Sequence, residues 1–285
     1  MLGVVTGLKS EAKLLRGTGL ACISTGGRAH IARAKIDRLI DRGVRGLVSF
    51  GIAGALSPEL RTGDLIVAHT AMSETDEAWQ AHGLWSDALL SSVTSMRGNH
   101  RQNDVPHHAA SRRSEGHSST VPLWSWEHDT PIDVTPALSR GPSERQTRAA
   151  KWIPAQGRDD GRGSAVSGAI LGLDRMLSSP QEKAGAFAQT GALAVDMESH
   201  HVARAAAERG LPFLAVRAIS DQANEALPPI MAGFVDEYGQ TRMSAVLAAL
   251  ILRRVTLAQL LQAGRASRRA HQALLRCRGP LAGLG

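Results

Sequence analysis

Short apolar runs and helix-like segments alternate along the first third of the chain. Residues 2–6, 20–25 and 63–68 are apolar runs bordered by glycine or other turn-forming residues, a pattern typical of buried strands. Residues 28–43 carry apolar side chains near helical spacing and stop at Gly43, a natural helix terminator. Alternating strands and helices predict a mainly parallel sheet with helices packed on it.

The same alternation returns in the second half of the chain. A strand is predicted at "AILGLD" (169–174), followed by a helix with Ser179 as its N-cap and Gly191 as its stop. A strand and an Ala-rich helix come next and end at Gly210, before a further strand at residues 211–221. Earlier, "VRGLVSFGIAGAL" predicts a strand that enters a loop of small residues.

The middle of the chain breaks this pattern. Residues 97–164 show neither helical nor strand periodicity, and they hold six of the twelve prolines and five of the eleven histidines. We therefore predict an irregular insertion that is mostly disordered or loosely packed.

The end of the chain is basic and helical by composition. We predict a basic helical segment over residues 241–278, broken near Thr256 or Gly264, because one continuous helix would carry arginines into its apolar face. From Arg242 onward there are eight arginines and no acid, which accounts for the formal net charge of +7. A solvated helix face and attraction to anionic lipid both fit this tail, whereas nucleic-acid binding is not expected.

Composition limits the class of protein. With 285 residues and 43% hydrophobic residues the chain can bury one substantial core. No apolar run reaches membrane-spanning length and the N-terminus lacks a signal-peptide pattern, so we expect a cytoplasmic protein. Cys22 and Cys277 suggest neither a disulfide framework nor a zinc site. His200 and His201, adjacent on a predicted helix, would point about 100° apart, which suits joint metal ligation poorly.

Acidic residues lie where the predicted strands end. Asp196 and Glu198 stand between a strand and a helix, Asp221 closes the next strand, and Glu11 follows the first. Ligands of open α/β sheets bind at the carboxyl ends of strands, so these segments are expected to meet in one crevice. "TGGRA" and "SFGIAGA" add turns whose backbone N–H groups can hold an anion or a polar ring. Asp196 alone reads as a helix N-cap or first-turn acid.

These residues carry a family resemblance. Five motifs resemble, in order and spacing, those of the nucleoside phosphorylase and methylthioadenosine nucleosidase superfamily: "GLKSE", "SFGIAGAL", "RTGDLIVA", "AVDMES" and "VRAISDQA". The stretch from "VDMES" to "ISDQA" is most similar to the hopanoid-associated phosphorylase group, proposed to cleave adenine from adenosylhopane. The resemblance covers about residues 1–95 and 166–235. It implies one α/β domain over residues 1–285, a three-layer fold with a mixed central β-sheet flanked by helices.

The resemblance also implies cleavage of the N-glycosidic bond of an adenine nucleoside. That reaction needs an acid for purine N7, groups on the ribose hydroxyls and a nucleophile opposite the base. Asp221 matches the acid, and partial desolvation would give it the raised pKa that such a donor needs. Glu198 matches the carboxylate that binds the ribose hydroxyls, with Met197 packing under the sugar. Further substrate contacts are expected at Ser49, Gly51, Ala53, Gly54 and Ser220.

The sequence does not decide whether water or phosphate is the nucleophile of this reaction. Glu11 matches the family glutamate that activates water in the hydrolytic members. Phosphorolysis would instead use Gly26, Gly27 and Arg28, with inorganic phosphate as co-substrate. No metal or organic cofactor is implied.

Partners follow from the same resemblance. Family members assemble as dimers or larger oligomers, so we expect a homo-oligomer acting on a nucleoside or a nucleoside-lipid. A lipid substrate would suit peripheral contact with the inner membrane through the basic C-terminal helices. The alternatives are a methylthioadenosine/S-adenosylhomocysteine-type nucleosidase, and a non-catalytic nucleoside- or lipid-binding protein inactivated by the insertion.

Overall fold

One sheet and two layers of helices make up the part of the chain described in the computed structural model, namely residues 1–26, 29–95, 163–234, 236, 239–252 and 255–284. The strands are β1 (Gly3–Thr6), β2 (Ala21–Ser24), β3 (Leu47–Ala55), β4 (Leu65–Ser73), β5 (Ala78–Gln80), β6 (Ala165–Gly172), β7 (Ala194–Asp196) and β8 (Phe213–Asp221). The helices are α1 (Lys9–Leu14), α2 (Ala29–Asp41), α3 (Gly83–Ser95), α4 (Pro180–Thr190), α5 (Ser199–Glu208), α6 (Met243–Ile251), α7 (Leu257–Leu275) and α8 (Arg278–Ala282), with a 3-10 helix at Pro229–Phe234.

The sheet is mixed and partly closed on itself. Its strands follow the order β2-β1-β3-β7-β6-β4-β5, and β8 pairs with both β3 and β4. β8 is parallel to β3 but antiparallel to β4, and β7 is antiparallel to β3. The predicted mixed sheet is therefore confirmed. Five of the eight strand pairs among the described residues are parallel, as strand–helix alternation predicts, and β8 joins two sets of strands that run in opposite directions.

Apolar clusters on both faces of the sheet join it to the helices. On one face Ile36 of α2 and Val202 of α5 pack with the strands. On the other face Leu89 of α3, Leu274 of α7 and Leu281 of α8 do so. This arrangement confirms the three-layer fold.

Local signals placed several element ends correctly. The Ser179 hydroxyl accepts a hydrogen bond from the Glu182 backbone N–H at the start of α4, and Gly191 ends that helix with a φ of 65°. The C-terminal helices break at Thr256, which caps α7, and not at Gly264, which lies within α7. The expected small-residue loop after residue 50 is instead the second half of β3, because β8 pairs with β3 along its whole length.

Three expectations concern the rest of the chain. All but the last two residues of the predicted insertion at 97–164 lie outside the described residues. Cys22 and Cys277 are both free. No helix in the described ranges is both long and apolar enough to cross a bilayer.

Candidate active site

Three glycines of the strand ends each face a carboxyl group. A Cβ atom at any of them would lie only 2.6–2.9 Å from a carboxylate oxygen, which is closer than real Cβ contacts allow. The pairs are Gly7 with Glu198, Gly51 with Glu11, and Gly54 with Asp221. The small residues of "SFGIAGA" therefore make room for acids beside β3, in addition to any role of their backbone N–H groups.

Glu11 is held by two backbone donors. The Leu8 N–H donates to its Oε2 atom over 2.8 Å and the Ile52 N–H to its Oε1 atom over 2.9 Å. Only 1% of the residue is exposed. Burial raises the pKa of Glu11, and the two backbone hydrogen bonds offset this only in part. A buried carboxylate with a raised pKa is a stronger base than an exposed one, which suits proton abstraction.

Glu198 lies between β7 and α5 in the same electrostatic environment. Burial raises its pKa to about 8, the negative charges of Asp196 and Glu11 add to the rise, and the Arg217 guanidinium opposes it. The Arg217 Nη2 atom is 3.8 Å from Glu198 Oε2. Three acids thus share one buried cation, so they cannot all be ionised at low cost.

The cation is Arg217, a residue to which the sequence analysis gave no role. It is fully buried in β8, where its Nε and Nη2 atoms contact Asp196 Oδ2. Its Nη2 atom also donates to the Ser49 hydroxyl over 2.6 Å. Asp196 in addition accepts from the backbone N–H and the hydroxyl of Ser199 at the start of α5. An arginine inside the apolar run "FLAVRAIS" was the signal, because a buried guanidinium requires an acidic partner.

Asp221 ends β8 beside a bulge. The register between β3 and β8 shifts after Ala53, so that Gly54 pairs with Asp221 and Ser220 is the extra residue. The Ser220 hydroxyl lies 2.8 Å from Asp221 Oδ1 and 3.2 Å from the Ala53 carbonyl oxygen. The bulge thereby fixes both side chains against β3.

Lys183 of α4 is the second functional residue that sequence reasoning missed. It is fully buried, and its Nζ atom donates to Asp221 Oδ2 over 2.6 Å, to the Gln222 carbonyl over 2.8 Å and to the Glu225 carbonyl over 2.9 Å. The sequence analysis expected Asp221 to lie partly desolvated in a crevice, and the fold in addition delivers a lysine to it from a distant helix.

The remaining predicted residues have different surroundings. Met197 is half-buried next to Glu198. Ser49 is fully buried, and its hydroxyl accepts a hydrogen bond from Arg217. The Gly26 N–H donates to the Gly7 carbonyl over 2.9 Å. Gly27 and Arg28 lie outside the described residues.

The two adjacent histidines converge, contrary to expectation. The His201 Nε2 atom lies 2.6 Å and the His200 Nε2 atom 3.3 Å from Asp174 Oδ1, and the ring centroids are 3.8 Å apart. Side-chain torsions turn both rings toward one carboxylate, although their Cβ atoms diverge. Burial lowers the pKa of His200, as does the neighbouring His201. The set offers ligand types that bind zinc, but Asp174 already supplies a hydrogen-bond acceptor to both rings.

Comparisons with known proteins establish the family. The chain belongs to the phosphorylase superfamily, whose model matches residues 13–252. No curated protein matches the chain.

Solved structures show the same fold at low identity. A 5'-methylthioadenosine/S-adenosylhomocysteine nucleosidase from Neisseria meningitidis is 12% identical, with a TM-score of 0.57 and 98% of each chain covered. The corresponding nucleosidase from S. pneumoniae is 14% identical, with a TM-score of 0.55, covering 98% of this chain and 99% of that one. Futalosine hydrolase from Helicobacter pylori is 15% identical, with a TM-score of 0.51, covering 88% of this chain and 97% of that one.

We predict that Gly51→Ala disrupts the site. The added methyl group would meet Glu11 Oε1 at 2.8 Å and must displace its carboxylate, at a cost of about 1–3 kcal/mol in the free energy of unfolding. Chemical denaturation measures this loss. Gly185→Ala is the control, because a Cβ there meets nothing within 4 Å and lies within α4. Equal stability of the two variants would contradict close packing of Gly51 on Glu11.

Glu198→Gln should change how stability depends on pH. The pKa of Glu198 is raised from 4.5 to about 8, so between these values the folded chain binds a proton that the unfolded chain has released. The free energy of unfolding of the wild type therefore falls as pH rises through this range, by at most about 1.4 kcal/mol per pH unit from this group. Glutamine does not titrate, so Glu198→Gln removes this decrease. The free energy of unfolding of the variant relative to that of the wild type should therefore rise from pH 5 to pH 9, as measured by denaturation. Glu59→Gln, at an exposed site, is the control and should show the same pH dependence of stability as the wild type.

Lys183→Met should destabilise the fold. It leaves a buried carboxylate and two carbonyl groups without their donor, and breaking such a pair costs about 3–5 kcal/mol. Adding Asp221→Leu should recover part of the loss, because the unpaired charge is removed. Lys13→Met, at an exposed site, is the control. Additive effects in this double-mutant cycle would show that the two residues do not interact.

Proposed function

We propose that the protein cleaves the N-glycosidic bond of an adenine nucleoside, with adenosylhopane as its substrate. The observation that carries this proposal is that three buried carboxyl groups lie against glycines, Glu198 against the glycine that follows β1 and Glu11 and Asp221 against two glycines of β3. Membership of the phosphorylase superfamily supports the reaction class. The "VDMES" to "ISDQA" stretch supports the choice of substrate.

Each carboxyl group has one task in the proposed reaction. Asp221 gives a proton to purine N7, so its O–H bond breaks as the N7–H bond forms and the bond from C1' to the base is cleaved. Glu198 accepts hydrogen bonds from the ribose hydroxyls and holds the sugar. Glu11 takes a proton from the water that forms the new bond to C1'. The reaction needs neither a metal nor an organic cofactor.

Lys183 supplies the proton in this scheme. An acid that donates to N7 must itself carry a proton, and Lys183 is a cationic donor in direct contact with Asp221. The Lys183 Nζ atom is 2.6 Å from Asp221 Oδ2, so a proton can pass from nitrogen to oxygen and from there to N7. Lysine is left neutral and Glu11 protonated, and exchange of one proton each with solvent restores both groups after adenine leaves.

Hydrolysis is favoured over phosphorolysis. The Gly26 N–H is occupied by the Gly7 carbonyl, whereas Glu11 is buried beside Ile52 in a position to act as base. Phosphate as co-substrate would depend on Gly27 and Arg28.

A second candidate is a methylthioadenosine/S-adenosylhomocysteine nucleosidase. Similarity in fold to two enzymes of that kind favours it, as does the fit of Glu11 to the hydrolytic members. Both candidates share the same acids and differ in the group on the 5' side of the ribose. Action on a nucleoside-lipid would locate the protein in the cytoplasm, peripheral to the inner membrane. Homo-oligomeric assembly stays a prediction.

Adenine release tests the proposal. We expect the wild type to release adenine from adenosylhopane faster than from methylthioadenosine, with no requirement for phosphate. Asp221→Asn should lower kcat by about 10²–10⁴-fold, the usual contribution of a general acid. Asp87→Asn, an exposed change on α3, should leave kcat unchanged.

The outcomes separate the alternatives. Preference for methylthioadenosine would favour the second candidate, and strict phosphate dependence would overturn the hydrolytic mechanism. Adenine binding with no release from either nucleoside would favour the non-catalytic binding protein.

A further inference from the structure

The corner between α6 and α7 leaves large apolar side chains in solvent. These corner residues are Ile251, Leu252, Leu257 and Leu261, which are 70%, 65%, 60% and 51% exposed. The corner has a small hydrophobic core of its own, formed by the buried residues Phe234, Ala249 and Val255. The exposed apolar residues are additional to this core. Exposed apolar groups this close together mark a contact surface for a protein or a membrane.

One face of α7 extends this apolar corner with positive charge. Leu257, Leu261, Arg265 and Arg268 follow one another at intervals of four, four and three residues, which places them on the same side of a helix. All four are exposed, and we call them the outer face of α7. The opposite side is buried against the sheet through Ala270, Ala273 and Leu274.

The arginines of this surface are not engaged in ion pairs. Among the described residues Arg265, Arg268 and the exposed Arg269 form no salt bridge, and no acid occurs in the sequence after Arg242. A second copy of the chain docked symmetrically would bring its own arginines against these, which opposes self-association. An anionic bilayer suits this surface, because the leucine side chains can insert into its apolar interior and the guanidinium groups can bind the lipid phosphates.

The surface also adjoins the candidate active site. Gln262, next to Leu261, donates from Nε2 to Glu225 Oε1 over 2.5 Å. The Glu225 carbonyl accepts from Lys183, which is paired with Asp221. A membrane held at the corner would therefore lie beside the loop that follows Asp221.

We infer that the α6–α7 corner and the outer face of α7 dock this protein on an anionic phospholipid surface. The purpose of this docking rests on the proposed function, because docking would bring the candidate active site to a substrate dissolved in the membrane. Binding to the bilayer itself needs no catalysis, so the two can fail independently.

Vesicle flotation of the full chain tests the inference. The wild type should float with vesicles of phosphatidylcholine and phosphatidylglycerol but not with phosphatidylcholine alone, and salt should weaken the binding. The double variant Leu257→Ser/Leu261→Ser should bind at least about tenfold more weakly, because apolar insertion is lost. Arg265→Ser/Arg268→Ser should lose the preference for anionic vesicles. Leu84→Ser is the matched control, because Leu84 is 77% exposed on α3.

Other results would overturn the inference. These are no flotation at low salt, equal binding to neutral vesicles, or equal loss in Leu84→Ser. Light scattering after size exclusion would show a protein interface instead if the wild type is an oligomer that Leu257→Ser/Leu261→Ser dissociates. Cleavage of water-soluble methylthioadenosine should be the same in that variant and in the wild type, which separates a docking defect from failure of the proposed chemistry.

Discussion

The buried ion pair between Arg217 and Asp196 holds the centre of the molecule together. It joins β8 to the end of β7, and through Ser49 and Ser199 it also ties in β3 and the start of α5. A guanidinium with no exposed surface is costly to desolvate, so the surrounding elements can pack only in the arrangement that supplies its acceptors. It thus links the short strand β7 to β8 by side chains, in addition to the backbone pairing of each strand with β3.

The same cation sets the electrostatics of the candidate site. One guanidinium faces Asp196, Glu198 and Glu11, and Asp196 takes most of its hydrogen bonds. The other two acids are left buried with less compensation, which is why their pKa values rise. Asp221 stands apart from this group, with Lys183 as its own countercharge. Two buried cations, Arg217 and Lys183, thus contact these carboxyl groups.

The glycines complete this arrangement. A strand normally presents a Cβ on alternate faces, and at Gly51 and Gly54 that atom would collide with Glu11 and Asp221. Small residues in β3 therefore let carboxyl groups approach the backbone and, at Glu11, receive its N–H groups. The site therefore lowers the stability of the fold, because glycine weakens strands and buried acids oppose folding.

The sequence by itself predicted most strands and helices, although not α1, β5 or α3. It also predicted the caps at Ser179 and Gly191 and selected Glu11, Glu198 and Asp221 as candidate acids, because these depend on local periodicity, turn chemistry and motifs. Tertiary structure alone decided what those acids face. Lys183 reaches Asp221 from 38 residues away, and Arg217 meets Asp196 from 21 residues away, contacts that no local pattern specifies. The bulge at Ser220 and the mixed strand directions likewise arise from pairing between distant segments, since register is fixed by the partner strand.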